Sequence, residues 1–412
     1  MSGSVNDALK ARAGAVIPNG MYGHVSVKML SPRTPQFFAK ARGAYLWDYD
    51  GRRYVDFMCG YGPNLLGYGH EQVDAAYMEQ LAQIDAATGP SIRMIELAEA
   101  YVAQIRHADW VMFCKNGTDA TTMALMTARA RRGRRKVLAA TGAYHGAAPW
   151  CTPMPQGTLK EDREHILYYR YNDIDSLNAA VERAGDDLAG IFASPFKHDL
   201  FVDQELPDPA YARAARRHCD ERDALLVVDD VRAGLRIARE CSWHGLGVEP
   251  DLSSWGKSLA NGHAISCLMG NDRAREAAGE IFVTGSFWFA AAAMAAALKT
   301  LELIRSTDYL ERAIALGDRL RAGLESVAKD SGVAISQTGP SQMPLIMIDG
   351  ADGKRDLPAS VAFAEGLLDE GVYFHPFHNM FITSAMTEDD IDRTVEAAAK
   401  AARNPTVRTA AA

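Results

Sequence analysis

Apolar and polar positions follow two different rhythms along this chain. Stretches at 71–84 and 93–105 carry the helical period, with apolar residues every three or four positions. Short unbroken apolar runs then take over, each closing in a polar turn. The strand-like run that opens 109–130 ends at Lys115-Asn116-Gly117-Thr118, and an Ala/Met/Leu-rich helix starts at once. Lys136–Thr141 ends at Gly142-Ala143-Tyr144-His145-Gly146, and Ala189–Ala193 ends at Ser194-Pro195. After a helix at 210–223, Leu225–Val228 closes in two carboxylates, Asp229 and Asp230. A further short run ends at Lys257, and Ala264–Met269 follows. Unbroken apolar runs of this length suit strands buried on both faces of a parallel sheet. Their alternation with helices predicts βαβ units and a doubly wound α/β sheet.

The two ends of the chain read differently. The first forty or so residues are mixed and Pro-containing. Ala44–Phe57 (AYLWDYDGRRYVDF) then reads as a hairpin, two aromatic alternating runs around Asp50-Gly51. The Ala-rich segment Phe287–Leu298 reads as a buried helix, with helical pattern at about 294–304. Beyond it, MPLIMIDG and GVYFHPF read as hairpin-like strands, and Thr387 with Asp390 forms a capping box for a last helix. The stretch 147–163 is polar and Pro-rich, and reads as an exposed loop. The expected division is a smaller α+β domain built from 1–59 and 301–412 around a larger domain at 60–300.

Composition narrows the function without naming it. With 412 residues, 48% hydrophobic and 23% charged, the chain is of ordinary globular type and long enough for two domains. A net charge of −8 argues against nucleic-acid binding, and the basic cluster Arg129–Lys136 reads as a solvated helix end. No apolar stretch is long enough to span a membrane. The six cysteines form no CxxC pair, so metal-ligand spacing is absent, and their scatter suggests reduced thiols and a cytoplasmic location.

The chemistry is expected at the strand ends, because ligands of such sheets bind at the carboxyl ends of the strands. There an acid (Asp229) and an amine (Lys257) come to one crevice. An aldehyde cofactor with a pyridine nitrogen needs that pair: lysine for the Schiff base, aspartate for the ring nitrogen. Taken singly, a strand-end aspartate is more often a cap or ion-pair partner, and a single lysine is more often solvated. Asn116, Gly117 and Thr118 at a helix start can bind a phosphate on free backbone N–H groups, or can simply cap. Tyr144, just past a strand end, can stack on a flat ring. Tyr61 reads as pocket or interface, and His375 and His378 as loop or pocket wall rather than metal ligands.

In order along the chain, LWDYDGRRYVDF, GYGPNLLGYGH, NGTDA, AYHG, VVDDVRAGLR, PDLSSWGKSLANG, TGSFWF, GVYFHPF and TEDDID together resemble the class III aminotransferases. These are pyridoxal-phosphate enzymes of fold type I, and the chain is most similar to the glutamate-1-semialdehyde aminomutase-like branch. The resemblance implies a large domain with a mixed, mostly parallel sheet plus a smaller α+β domain. It implies pyridoxal 5'-phosphate as cofactor and an amine or amino acid with a keto acid or aldehyde as substrates. Lys257 would carry the Schiff base and shuttle the proton. Asp229 would hold the ring nitrogen, and Tyr144 and Val231 would sandwich the ring; His145, counted with the cofactor-binding residues, reads as orienting the cofactor's neighbours or as simply packing. Asn116, Gly117 and Thr118 would bind the phosphate, and Ser286 would reach the phosphate of the neighbouring subunit in a homodimer.

The same resemblance implies departures. Ser26 stands where the aminomutase has a carboxylate-binding arginine, with Lys28 close by. Asn116 replaces a usual serine, Ser194 replaces a usual acid, and the loop after Tyr144 is short. The Phe377–Met380 region is also shortened, and Trp288-Phe289 replaces a Ser-Gly segment. Arg232 stands ready for a substrate carboxylate or a structural ion pair. These differences favour an aminotransferase with a different amine or keto partner. An intramolecular aminomutase, a racemase on the same cofactor and a non-catalytic cofactor-binding protein remain the alternatives.

Overall fold

A computed structural model describes residues 4–23 and 29–410, and Ser26 and Lys28 lie outside the described residues. The chain divides into two compact units. One comprises Met1–His70, Leu200–Val202 and Glu311–Ala412, the other Glu71–Asp199 and Asp203–Leu310.

The first unit opens with α1 (Val5–Val16), capped by Ser4, whose hydroxyl accepts from the Asp7 amide. This helix escapes the sequence reading because only Asn6 and Ala13 are buried, too few to write a period. β1 (Phe38–Arg42), β2 (Tyr45–Asp48) and β3 (Arg53–Asp56) then pair antiparallel in succession. The predicted hairpin is β2–β3, with Tyr45 opposite Val55. Its loop is longer than the two-residue Asp50-Gly51 turn, because Arg52 still donates its amide to the Asp48 carboxylate.

The second unit holds α2 (Glu71–Leu81), α3 (Arg93–Gln104), β4 (Trp110–Cys114) and α4 (Gly117–Ala130). β5 (Lys136–Ala140), β6 (Ile166–Tyr169), α5 (Ile174–Ala184) and β7 (Leu188–Ala193) follow. The unit closes with α6 (Pro209–Glu221), β8 (Leu225–Asp229), β9 (Leu252–Trp255), β10 (Ser266–Gly270), α7 (Asp272–Glu280) and α8 (Ala291–Ser306). The seven strands form one sheet in the order β4-β10-β9-β8-β7-β5-β6. Only β10 runs antiparallel, against both β4 and β9. Every residue of β7, β8, β9 and β10 is buried, as expected for a sheet covered on both faces. Local chemistry sets the helix starts: Asp173 caps α5, and Asp208 with Pro209 opens α6.

Two expectations fail within this unit. The polar loop at 147–163 is not wholly exposed: Trp150 is buried and donates to the Thr122 hydroxyl. The aromatic front of Phe287–Leu298 is neither helical nor buried. α8 starts only at Ala291, and Phe287 is 64% exposed.

The chain then completes the first unit. α9 (Tyr309–Ser331) is a second long helix after α8, where the sequence reading found one. β11 (Ile335–Thr338) pairs antiparallel with β12 (Leu345–Ile348). α10 (Leu357–Asp369) separates β12 from β13 (Val372–Tyr373), so MPLIMIDG and GVYFHPF do not form a hairpin. β13 instead runs parallel to β3, with Val372 opposite Val55. α11 (Glu388–Ala401) begins with the Thr387/Asp390 capping box read from the sequence, and α12 (Pro405–Ala410) follows.

Candidate active site

The larger unit gathers its polar chemistry at the carboxyl ends of β8 and β9. Asp229 is the last residue of β8, paired across to Ser254, and it is buried. One of its oxygens accepts from the Val231 amide at 3.2 Å. The other lies 2.8 Å from His145 Nδ1. A carboxylate can only accept, so His145 Nδ1 donates. Its Nε2 is buried without a hydrogen-bond partner. Of the two sequence readings of His145, orienting a neighbour or packing, the Nδ1 contact matches the first; its partner Asp229 was not legible, because the two residues are 84 positions apart.

Lys257 follows β9 in a short 3-10 turn, with a left-handed φ of 50° that a non-glycine residue adopts only under constraint. The Ser258 hydroxyl, bonded to the Gly234 carbonyl at 2.8 Å, anchors that turn. Lys257 is partly exposed as a residue, yet burial of its amine pushes the pKa down to about 7. The charges of Arg232 and Arg236 push the same way, and Asp229 opposes them. Such an amine is largely available as a nucleophile near neutrality.

Arg232, also buried, donates to the His198 carbonyl at 3.2 Å, and its guanidinium lies 5.9 Å from the centre of the Tyr144 ring. Burial lowers its pKa to about 10. Asp230 points away from this group. Its carboxylate takes the Ser242 amide at 3.0 Å and the Ser242 hydroxyl, and burial pushes it up to about 6.

The phosphate candidates sit at the N-terminus of α4. Asn116 is the N-cap, exposed, and its amide donates to Asp119 at 2.9 Å. A Cβ on Gly117 would stand 2.5 Å from Val231 Cγ1, so only glycine lets the helix start and Val231 approach this closely. A Cβ on Gly146 would likewise meet Thr118 Oγ1 at 2.6 Å. The Thr118 hydroxyl accepts the Ala147 amide at 3.1 Å, which ties the loop after Tyr144 to the start of α4. Eight of the nine predicted residues are thus joined directly or through one neighbour. Ser286 is the exception: it is exposed, and no hydrogen bond links it to the others among the described residues. Ser194, noted as a replacement for an acid, is buried with its hydroxyl unpartnered.

The aminotransferase class-III family model matches residues 29–401. The chain belongs to the class III aminotransferases. An aminopentol aminotransferase from Sphingopyxis macrogoltabida is 54% identical over 400 residues, 97% of this chain and 94% of the relative. A glutamate-1-semialdehyde 2,1-aminomutase from Polaromonas naphthalenivorans is 31% identical over 436 aligned positions, 96% of each chain. Among solved structures, the FumI protein of Sphingopyxis sp. MTA144 in its PLP internal aldimine form superposes with a TM-score of 0.94. It is 54% identical and covers 96% of this chain and 95% of its own. The enzyme is an aminotransferase of fold type I, and its cofactor is pyridoxal 5'-phosphate. The residues present fit that group. A buried lysine amine lies within electrostatic reach of a strand-end carboxylate, and two glycines let Val231 and the loop after Tyr144 pack closely against a helix N-terminus.

Proposed function

We propose that this aminotransferase takes its amino group from a hydroxylated primary amine and passes it to a keto acid, with Lys257 and Asp229 as the two anchoring side chains. The observation that carries the residue assignment is the Lys257 amine held near pKa 7 within reach of an Asp229 already oriented by His145. When bound, the cofactor supplies an aldehyde for the amine and a ring that takes up the electron pair freed at the amine-bearing carbon. Asp229 keeps a proton on the ring nitrogen, which makes that uptake favourable. His145 fixes the direction of the Asp229 carboxylate. Lys257 Nζ would hold the cofactor and would carry the proton to and from the amine-bearing carbon. Tyr144 and Val231 enclose the ring, and Asn116, Gly117 and Thr118 bind the phosphate at the α4 N-terminus.

The amine assignment rests on the aminopentol aminotransferase at 54% identity. We further propose a cytoplasmic homodimer in which Ser286 serves the partner's phosphate. Exposed Met78, Leu81, Ile84, Ile92 and Ile95 support self-association.

A half-reaction panel tests the reading. The bound cofactor's absorbance should be bleached by hydroxylated primary amines faster than by α-amino acids, and pyruvate or another keto acid should restore it. Preference for α-amino acids overturns the amine assignment. Turnover without any added acceptor turns the assignment toward the aminomutase, which the 31% identical relative favours.

A further inference from the structure

We propose that the larger unit holds a zinc ion on His107, Cys241 and His244, separate from the cofactor site. Cys241 and His244 stand three residues apart on one segment, His107 comes from a distant one, and their ligand atoms all lie within 4.8 Å of one another. His107 precedes β4, while Cys241 and His244 lie between β8 and β9. His107 Nδ1 and His244 Nε2 face each other at 3.1 Å. Two nitrogens each about 2.0–2.1 Å from a tetrahedral zinc lie roughly 3.3 Å apart, so the gap needs almost no adjustment.

The outer nitrogens strengthen the case. His244 Nδ1 is 2.6 Å from the Glu240 carboxylate, and His107 Nε2 is 2.9 Å from the Ser253 hydroxyl. Trp255 Nε1 in turn donates to that hydroxyl at 2.7 Å. Metal-bound histidines are held in this way, the far nitrogen tied to a carboxylate or hydroxyl so that the near one presents its lone pair. A hydrogen-bonded histidine pair alone would account for the 3.1 Å contact. The buried Cys241 thiol, bonded to Asp230, lies within 4.8 Å of both ring nitrogens, so it completes the set by moving in by up to about 1 Å. One sulfur and two imidazoles form a borderline-soft donor set that suits zinc, with a fourth position left for water.

Protons balance simply. His107 shifts its proton from Nδ1 to Nε2, where it donates to Ser253, and the Cys241 thiol releases one proton to solvent as the thiolate binds. The ion would pin the 240–244 segment. Ser242 of that segment holds Asp230, the neighbour of Asp229, so the ion's expected role is to stiffen the support of the cofactor site.

The test uses holoenzyme loaded with zinc, dialysed, and assayed for bound metal. About one zinc per chain is expected, with one proton released per ion in calorimetry run in several buffers. Cobalt in its place should give visible d–d bands at wavelengths beyond the cofactor's. Cys241→Ser should abolish binding. Because a buried substitution can disturb folding, Glu240→Gln provides the second reading: it should weaken binding roughly 10- to 100-fold in a chain that stays folded and coloured. Metal at background level in the wild-type holoenzyme, or a Glu240→Gln variant that binds zinc as tightly as wild type, overturns the proposal.

Discussion

Asp56 in the smaller unit and Asp229 in the larger are both buried, 1% and 6% exposed, and both end a strand. Their surroundings differ in kind. Asp56 is closed off by donors from its own unit: Tyr68 Oη at 2.6 Å, the Met58 amide at 2.8 Å and the Cys59 amide at 2.9 Å. Asp229 receives one imidazole and one longer amide contact, and its charge acts at a distance on the Lys257 amine and the Arg232 guanidinium. A carboxylate whose lone pairs are all taken locks a backbone turn. A carboxylate held from one side only can serve a ligand. Burial alone therefore does not mark a functional acid, and the direction of its donors does.

The largest effect that would break this contrast is on Asp229. Asp229→Ala should lower kcat/KM by roughly 10³- to 10⁴-fold, while the unfolding free energy of the apoenzyme moves by about 1 kcal/mol or less. Steady-state kinetics beside urea unfolding reads both. A variant that loses several kcal/mol of stability would make Asp229 a structural acid like Asp56.

The converse holds for Asp56. Asp56→Ala leaves three buried donors without an acceptor and should cost about 3 kcal/mol, with cofactor absorbance per folded chain unchanged. Its pH behaviour sharpens the point. Burial raises the Asp56 pKa from 3.8 to about 6, against the hydrogen bonds that favour its charged form. A folded pKa above the unfolded one gives stability that is complete below about pH 4 and lost as pH rises through 6. Asp230, raised to about 6 as well, adds the same slope in the same window. Asp56→Asn should therefore reduce the stability lost between pH 4 and 6, as read by chemical unfolding across that range. An unchanged slope would place the titration elsewhere.

This contrast also explains what the sequence could and could not disclose. The β7 and β8 runs, the Thr387 capping box and the strand-end position of Asp229 depend on residues close in sequence, and all three are where the pattern puts them. The same pattern hides α9, whose charged positions blur its period, and the parallel pairing of β13 with β3 across more than 300 residues. At the site, Asn116 to Thr118 were visible as a helix start. The His145–Asp229 bond was not, and in the His107, Cys241 and His244 cluster only the three-residue spacing of Cys241 and His244 is local, while His107 joins from far along the chain. Donor direction is a tertiary property, so no local motif separates Asp56 from Asp229.

The smallest effect tests whether charge in the larger unit acts on rate rather than on stability. Only the neutral Lys257 amine can capture the cofactor aldehyde, so reconstitution of the apoenzyme should quicken as pH rises through about 7, well below the ordinary lysine range. After burial, Arg232 is the strongest influence holding the amine down. Arg232→Met removes that charge and should move the midpoint up by roughly one unit, which slows capture at pH 7 by about fivefold. Apoenzyme stability should fall by no more than about 1 kcal/mol, since the variant also takes a cation out of the interior. A midpoint that stays at 7 would mean that burial, with Arg236, sets the amine without Arg232. The contrast with Asp56 would then rest on donor direction, with no contribution from the Arg232 charge.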